Sequence, residues 1–172
     1  MYFWVKCRIE LAGGARVPAD KKWGVISAFG LNFFKSLQVL INGYELSPGS
    51  EQDSGYKAYL ESLLSFEYGK NRNFHLKSSI YELDDPEYVD NFDHTAAGNT
   101  AFKKRHTRVS ALSFDFCVPF LHYFARSDAH LTPQNKLTVV ATRQSEEFLI
   151  NTLEKTTPFK ISVEDIRLYY NR

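Results

Sequence analysis

The chain has 172 residues, of which 44% are hydrophobic and 15% aromatic, and this length suits one domain with its own core. Its 21 Lys and Arg residues against 20 Asp and Glu give a formal net charge of +1, which excludes a chain that binds polyanions through overall charge. The aromatic content excludes a disordered or low-complexity chain. We therefore expect a single domain over residues 1–172.

The start of the chain predicts a protein that is not secreted. Lys6, Arg8 and Glu10 interrupt its apolar stretch, unlike a signal peptide, and no apolar run approaches the ~20 residues of a membrane span. Cys7 and Cys117 match no metal-ligand spacing; their apolar surroundings predict buried free thiols, with a disulfide as the alternative. Because the chain begins in mid-strand, we expect a fragment of a longer protein.

The first segment has the period of two that is typical of a half-buried strand. Gly13-Gly14 ends it. The residues predicted to face the core are Phe3, Val5, Cys7, Ile9 and Leu11.

Asn42-Gly43 separates two apolar runs between Phe33 and Leu46, and this dipeptide is a strong hairpin signal. A different period follows. From about Gly55 to Glu67 the apolar residues recur at helical spacing, so we predict one helix there, inside a long connection.

Three more strands are predicted, at Leu112 to Val118, Lys136 to Arg143 and Phe159 to Tyr170. The apolar phase of the last one slips, which an extra residue near Glu164-Asp165 would explain as a β-bulge. With no alternation of strands and helices, the pattern predicts an all-β fold, an antiparallel β-sandwich.

The sequence offers no catalytic constellation, so we expect no enzyme, no cofactor and no metal. It has no Gly-x-Ser-x-Gly elbow or phosphate-binding glycine loop, and Asp93-His94 is its one adjacent carboxylate–imidazole pair. The acidic residues between Asp84 and Asp93 could bind a divalent cation, but they lack the EF-hand rhythm; a solvated loop is the alternative. The histidines show no His-x-His pair: they are His75, His94, His106, His122 and His130.

A basic run lies at the end of the long polar connection from about residue 71 to 108. It could contact nucleic-acid phosphates or serve as a nuclear localisation patch. The alternative is a solvated loop that balances the acidic one through ion pairs. The candidate residues are Lys103, Lys104, Arg105 and Arg108.

Three segments carry a family resemblance: LINGYELSP (Leu40 to Pro48), YKAYLESLLSF (Tyr56 to Phe66) and KISVEDIRLYYNR (Lys160 to Arg172). Together they resemble the major capsid proteins of Polinton/Maverick elements and adintovirus-like relatives, in which an Asn-Gly turn leads to a tyrosine-rich helix. Lys103 to Arg105 is similar to a basic stretch of that family. The residues that match its turn and helix are Asn42, Gly43, Tyr56, Tyr59, Leu60, Glu61, Leu63 and Leu64.

The resemblance implies a jelly roll and a structural role. Capsid proteins of this family are double jelly rolls that assemble as trimeric capsomers and contact other capsid proteins. This chain is long enough for one jelly roll, the N-terminal one, in a truncated or domesticated derivative. The implied location is the virion, with the cytoplasm or nucleus before assembly.

Two other functions stay open. A non-catalytic sandwich that binds protein, glycan or nucleic acid would display aromatic side chains such as Trp4 or Trp23 beside a concave sheet. A cupin-like metalloenzyme would bring several histidines together.

Overall fold

The computed structural model describes residues 1–46, 55–56, 60, 78–120, 134–154 and 158–169. The elements whose bounds lie within these ranges are eight strands, three α-helices and a 3₁₀ turn at Pro86–Tyr88; Gly55, Tyr56, Leu60 and Ser78 are helical as well. The strands are β1 (Tyr2–Leu11), β2 (Trp23–Val25), β3 (Phe34–Ile41), β4 (Tyr44–Glu45), β5 (Phe114–Pro119), β6 (Leu137–Arg143), β7 (Ile150–Thr152) and β8 (Phe159–Tyr169). The helices are α1 (Phe29–Asn32), α2 (Thr100–Val109) and α3 (Glu146–Leu149).

All strand pairs in the described part of the chain are antiparallel. They form sheets in the orders β5-β1-β8, β2-β7 and β4-β3-β6. The fold is therefore rich in antiparallel strands and compatible with an all-β sandwich.

Strand β1 lies at the centre of its sheet and has the predicted alternation. Phe3, Val5, Cys7 and Ile9 are buried, whereas Arg8 is exposed. Because β1 has a strand on each side, its inward side chains lie deep in the core.

The phase slip in β8 is a β-bulge, as predicted. Lys6 of β1 lies opposite Asp165, but Cys7 lies opposite Val163, so Glu164 is the extra residue. The extra residue shifts the side-chain alternation by one. Ile161 before the bulge and Ile166 after it consequently lie opposite inward-facing residues of β1.

The Asn-Gly hairpin is also confirmed. Asn42 and Gly43 join β3 to β4 with φ angles of 52° and 86°. Both values lie in the left-handed region that a two-residue type I′ turn requires, where asparagine and glycine are tolerated best.

One hydrophobic core joins the three sheets, and phenylalanine rings fill much of it. The rings of Phe33 and Phe116 lie 5.0 Å apart, centroid to centroid, in an edge-to-face arrangement. Since α1 supplies Phe29 and β5 supplies Phe116, this cluster connects a short helix to the β5-β1-β8 sheet. The buried phenylalanines are Phe3, Phe29, Phe33, Phe34, Phe102, Phe114, Phe116 and Phe120.

Two sequence predictions are wrong. Residues 100–109 were expected in a loop, but they form the ten-residue helix α2, so the helix predicted near Gly55 is not the chain's one helix. Leu112 was expected to face the core from a strand. It precedes β5 instead and is 74% exposed.

Candidate functional site

Arg105 is not part of an exposed basic patch, because its side chain is completely buried. Its Nε donates to the carbonyl of Val25 at 2.8 Å, and its Nη1 donates to the carbonyl of Glu82 at 2.6 Å. Its Nη2 forms an ion pair with Asp84. A guanidinium held this way joins α2, β2 and the segment before the 3₁₀ turn, and it is not accessible to a phosphate.

The other three candidate cations differ in exposure. Lys103 and Lys104 are exposed on α2, whereas Arg108 is half-buried. Arg108 acts on the Cys117 thiol electrostatically, opposing the rise of its pKa. Two adjacent exposed lysines are a weak footprint for nucleic acid, since affinity grows with the number of phosphates contacted.

Asp85 and Asp93, two acidic residues of the predicted loop, have structural partners. Asp85 accepts from the backbone N–H of Thr100 at 3.1 Å and from its Oγ1 at 3.0 Å, so it caps the first turn of α2 and its pKa is lowered by these bonds. Asp93 pairs with Lys22 and accepts from Thr95, which lowers its pKa. Across the described ranges, no three His, Cys, Asp or Glu residues are placed to hold a metal ion.

The structure brings together two histidines that are twelve positions apart. The rings of His94 and His106 stack with their centroids 3.7 Å apart and an angle of 12° between their planes. His106 Nδ1 donates to the carbonyl of Trp23 at 2.9 Å, and the Trp23 indole packs against the same imidazole edge-to-face. The buried His94 Nδ1 has no hydrogen-bond partner among the described residues.

Burial is the main cause that lowers the pKa of both histidines. For His94, Lys22 and Lys103 lower the pKa further, while Asp93 raises it. For His106 the neighbouring His94 lowers the pKa. Two imidazoles this close disfavour a doubly protonated state.

A cleft of about 820 Å³ opens beside this pair. Its walls come from the outer face of β1, the segment 14–19 and the end of α2. Four of the charged side chains on the wall form ion pairs: Lys6 pairs with Glu164 at 3.3 Å, and Arg8 pairs with Glu10 at 3.1 Å. Arg16, which also lines the cleft, donates to the carbonyl of Ser110 at 3.5 Å. The cleft therefore offers paired charges to a ligand.

Both cysteines are free thiols, as the sequence predicts. Cys7 is fully buried in the core, and burial raises the pKa of its thiol to about 12. Cys117 is half-buried, and burial together with the nearby Asp115 raises the pKa of its thiol. Neither thiol is activated for nucleophilic chemistry.

The outer strands of the sheets expose apolar side chains. On β8, Val163, Ile166 and Tyr169 are 39%, 46% and 42% exposed. On β6, Val140 is 42% exposed, and Phe148 of α3 is 48% exposed. Exposed apolar side chains on edge strands are typical of surfaces that another chain covers.

The outer face of the β5-β1-β8 sheet has a polar and aromatic cluster centred on Trp4. Its indole N–H donates to Asp115 at 3.0 Å, and the Arg167 guanidinium lies 5.3 Å from its ring centroid. Tyr2 and Tyr169 stack beside it with centroids 5.0 Å apart. This cluster fixes Arg167 on the outer face of β8.

The family-like motif is described only in part. Asn42 and Gly43 form the hairpin turn, and Gly55, Tyr56 and Leu60 are helical. Tyr56 is 65% exposed and Leu60 37% exposed. The other motif residues lie outside the described residues: Tyr59, Glu61, Leu63 and Leu64.

The predictions missed α2 and the histidine pair. A signal for α2 was present, since Ala101, Phe102, Arg105 and Val109 have helical spacing and are all buried. The buried arginine interrupts the apolar face of this helix, so the helical period does not show when only apolar residues are considered. No sequence signal indicated that His94 and His106 meet.

Comparison with known protein families, with curated proteins and with solved structures gives no significant match for this chain. Among the described helices, none is long and apolar enough to span a lipid bilayer.

Proposed function

We propose that the chain is a structural protein that acts by associating with copies or relatives of itself, as a capsid jelly roll like those of Polinton/Maverick elements, with the virion as its place of action. The observation that carries the proposal is the exposure of apolar side chains on the outer strands β8 and β6. An assembling β protein buries such strands against a neighbour. The Asn42-Gly43 turn agrees with the family resemblance.

The proposed role involves no catalysis. Three carboxylates of the segment between residues 84 and 93 have partners within the fold: Asp84 pairs with Arg105, Asp85 accepts from the start of α2, and Asp93 pairs with Lys22. Both thiols have raised pKa values. These groups serve the fold, which is what a structural protein requires.

A binding module is supported less well. Trp23 is 3% exposed, so it does not present its ring to a ligand. Trp4 already engages Asp115 and Arg167. Neither tryptophan forms the open aromatic platform that glycan or single-strand binding uses.

The test is the mass of the purified full chain, by light scattering behind size-exclusion chromatography, followed by negative-stain electron microscopy. We expect a discrete closed oligomer and larger regular particles at high concentration. A monomer that forms no particles over the accessible concentration range would overturn the proposal. A salt-dependent DNA shift that disappears in Lys103→Glu/Lys104→Glu, but persists in Lys21→Glu, would support a nucleic-acid-binding module instead.

A further inference from the structure

Strand β8 has one backbone edge without a strand beside it in the part of the chain that the structure describes. The strand is eleven residues long, and β1 is its one partner strand among the described residues. On the edge of β8 that faces away from β1, helix α3 covers the first part of the strand, where the backbone N–H of Ile161 donates to the Glu146 carboxylate. The available edge therefore lies in the half of β8 that follows the bulge.

Along this edge two inward-facing side chains of β8 are exposed, one just before the bulge and one after it. Ile166 lies opposite Val5, and Val163 lies opposite Cys7. Val5 and Cys7 have no exposed surface, whereas Ile166 is 46% and Val163 39% exposed. An added strand would bury these side chains and satisfy the backbone groups of the edge at the same time.

Within one chain Arg167 pairs with Asp165 at 2.7 Å, and the same two charges, both after the bulge, are also complementary to those of a second copy that runs antiparallel. If a two-fold axis passes at Ile166, that residue lies opposite its own copy. Asp165 of each chain then lies opposite Arg167 of the other, so two oppositely charged cross-strand pairs form. Such pairs stabilise an antiparallel ladder, and like charges in the same positions destabilise it.

Charge repulsion disfavours the two alignments in which the axis moves by one residue. Moving the axis to residue 165 sets Asp165 opposite Asp165 of the copy. Moving it to residue 167 sets Arg167 opposite Arg167 of the copy. Of the three alignments with the axis at residue 165, 166 or 167, the one at Ile166 is the alignment without a like-charge pair at the axis.

We propose that a second copy of this chain docks on β8 in this alignment and joins two β5-β1-β8 sheets into one six-stranded antiparallel sheet. This inference rests on the proposed function and names one surface through which it operates. A two-fold axis perpendicular to the sheet keeps the core faces of both copies on the same side. The interface is isologous, with the same residues contributed by each copy.

Charge reversal tests the alignment. Asp165→Arg and Arg167→Asp each create two like-charge pairs across the axis, so each weakens dimerisation by about tenfold, as the usual size of cross-strand pairs implies. The double variant Asp165→Arg/Arg167→Asp restores both pairs and returns the dissociation constant to near the wild-type value. Sedimentation equilibrium measures the constants. Lys21→Glu is the matched control, since it reverses a charge in the ion pair with Glu154.

Cross-linking tests the position of the axis. In an antiparallel ladder, opposed Cα atoms lie about 4.5–5.5 Å apart, within the range of a disulfide. Ile166→Cys therefore gives a disulfide-linked dimer under mild oxidation. Val140→Cys, on the outer strand β6 with 42% exposure, is the control and gives no faster cross-linking than wild type.

The outcomes separate this inference from the proposed function. A β8 dimer that forms no larger particles supports the inference and overturns the capsid role. Particles that are unaffected by charge reversal at 165 and 167 overturn the inference and leave the capsid role standing. A chain that is monomeric throughout, or an Ile166→Cys variant that cross-links no faster than Val140→Cys, overturns the inference.

Discussion

Gly24 and Phe102 are in contact because β2 has no side chain at position 24. A Cβ atom there would lie 2.6 Å from the nearest carbon of the Phe102 ring. Helix α2 therefore packs directly on the backbone of β2, with Phe102 buried between them.

We expect Gly24→Ala to destabilise the fold by about 1–3 kcal/mol, the usual cost of overpacking a core. Urea unfolding followed by circular dichroism measures the change. Gly13→Ala is the control, since a Cβ at Gly13 has no heavy atom within 4 Å. Equal stability of the two variants would contradict the close packing of α2 on β2.

Arg105→Met should lower the free energy of unfolding by about 3 kcal/mol, because it removes one partner of a buried ion pair. The carbonyls of Val25 and Glu82 lose their donor as well. Lys104→Met, one position earlier on the exposed face of α2, should change stability by under about 0.5 kcal/mol. If both variants unfold at the same urea concentration, Arg105 does not have the structural role described above.

Acid should destabilise the protein through the histidine pair. The pKa values of His94 and His106 are lowered in the folded state, while in the unfolded chain they lie near 6.5. As the pH falls below about 6.5, the unfolded state binds more protons than the folded state, so stability decreases.

His94→Phe keeps a flat ring in the stack and removes one of the two titrating groups. The urea midpoint of this variant should fall less between pH 7.5 and pH 5.5 than that of wild type. The other histidines are present in both proteins, so the difference reports on His94 together with its effect on the pKa of His106. An identical pH dependence would show that this pair does not govern the response.

The two thiols should react slowly in the folded protein. At pH 8, Ellman's reagent should modify both cysteines at once in urea but only slowly without it, because burial raises the pKa of each thiol. Cys117→Ser should remove the faster of the two native phases, since Cys7 is completely buried. A fast native phase that persists in Cys117→Ser would contradict the burial of Cys7.

Features determined by neighbouring residues were predictable from the sequence. The alternation in β1, the Asn42-Gly43 turn and the bulge at Glu164 are all confirmed, because period-two patterns and positive-φ residues act over a few positions. Features that depend on distant partners were not predictable. The sequence around Arg105 predicts a solvated cation, because its partners Val25, Glu82 and Asp84 are distant in the chain.

The histidine pair illustrates the same limit. His94 lies in a turn and His106 lies within α2, and nothing in either local pattern indicates that their rings meet. At Leu112 the local pattern predicts a strand residue that the structure does not have. It continues the alternation of β5, yet the strand begins only at Phe114.

The positions of the two tryptophans give the chain two internal fluorescent reporters. Trp23 is buried against His106, and a protonated imidazole is an effective quencher of indole emission, so its signal follows the charge of the histidine pair. Trp4 lies beside Arg167 on the outer face, so its signal follows events at β8. With Trp4→Phe and Trp23→Phe, each region can be observed separately, without an added dye.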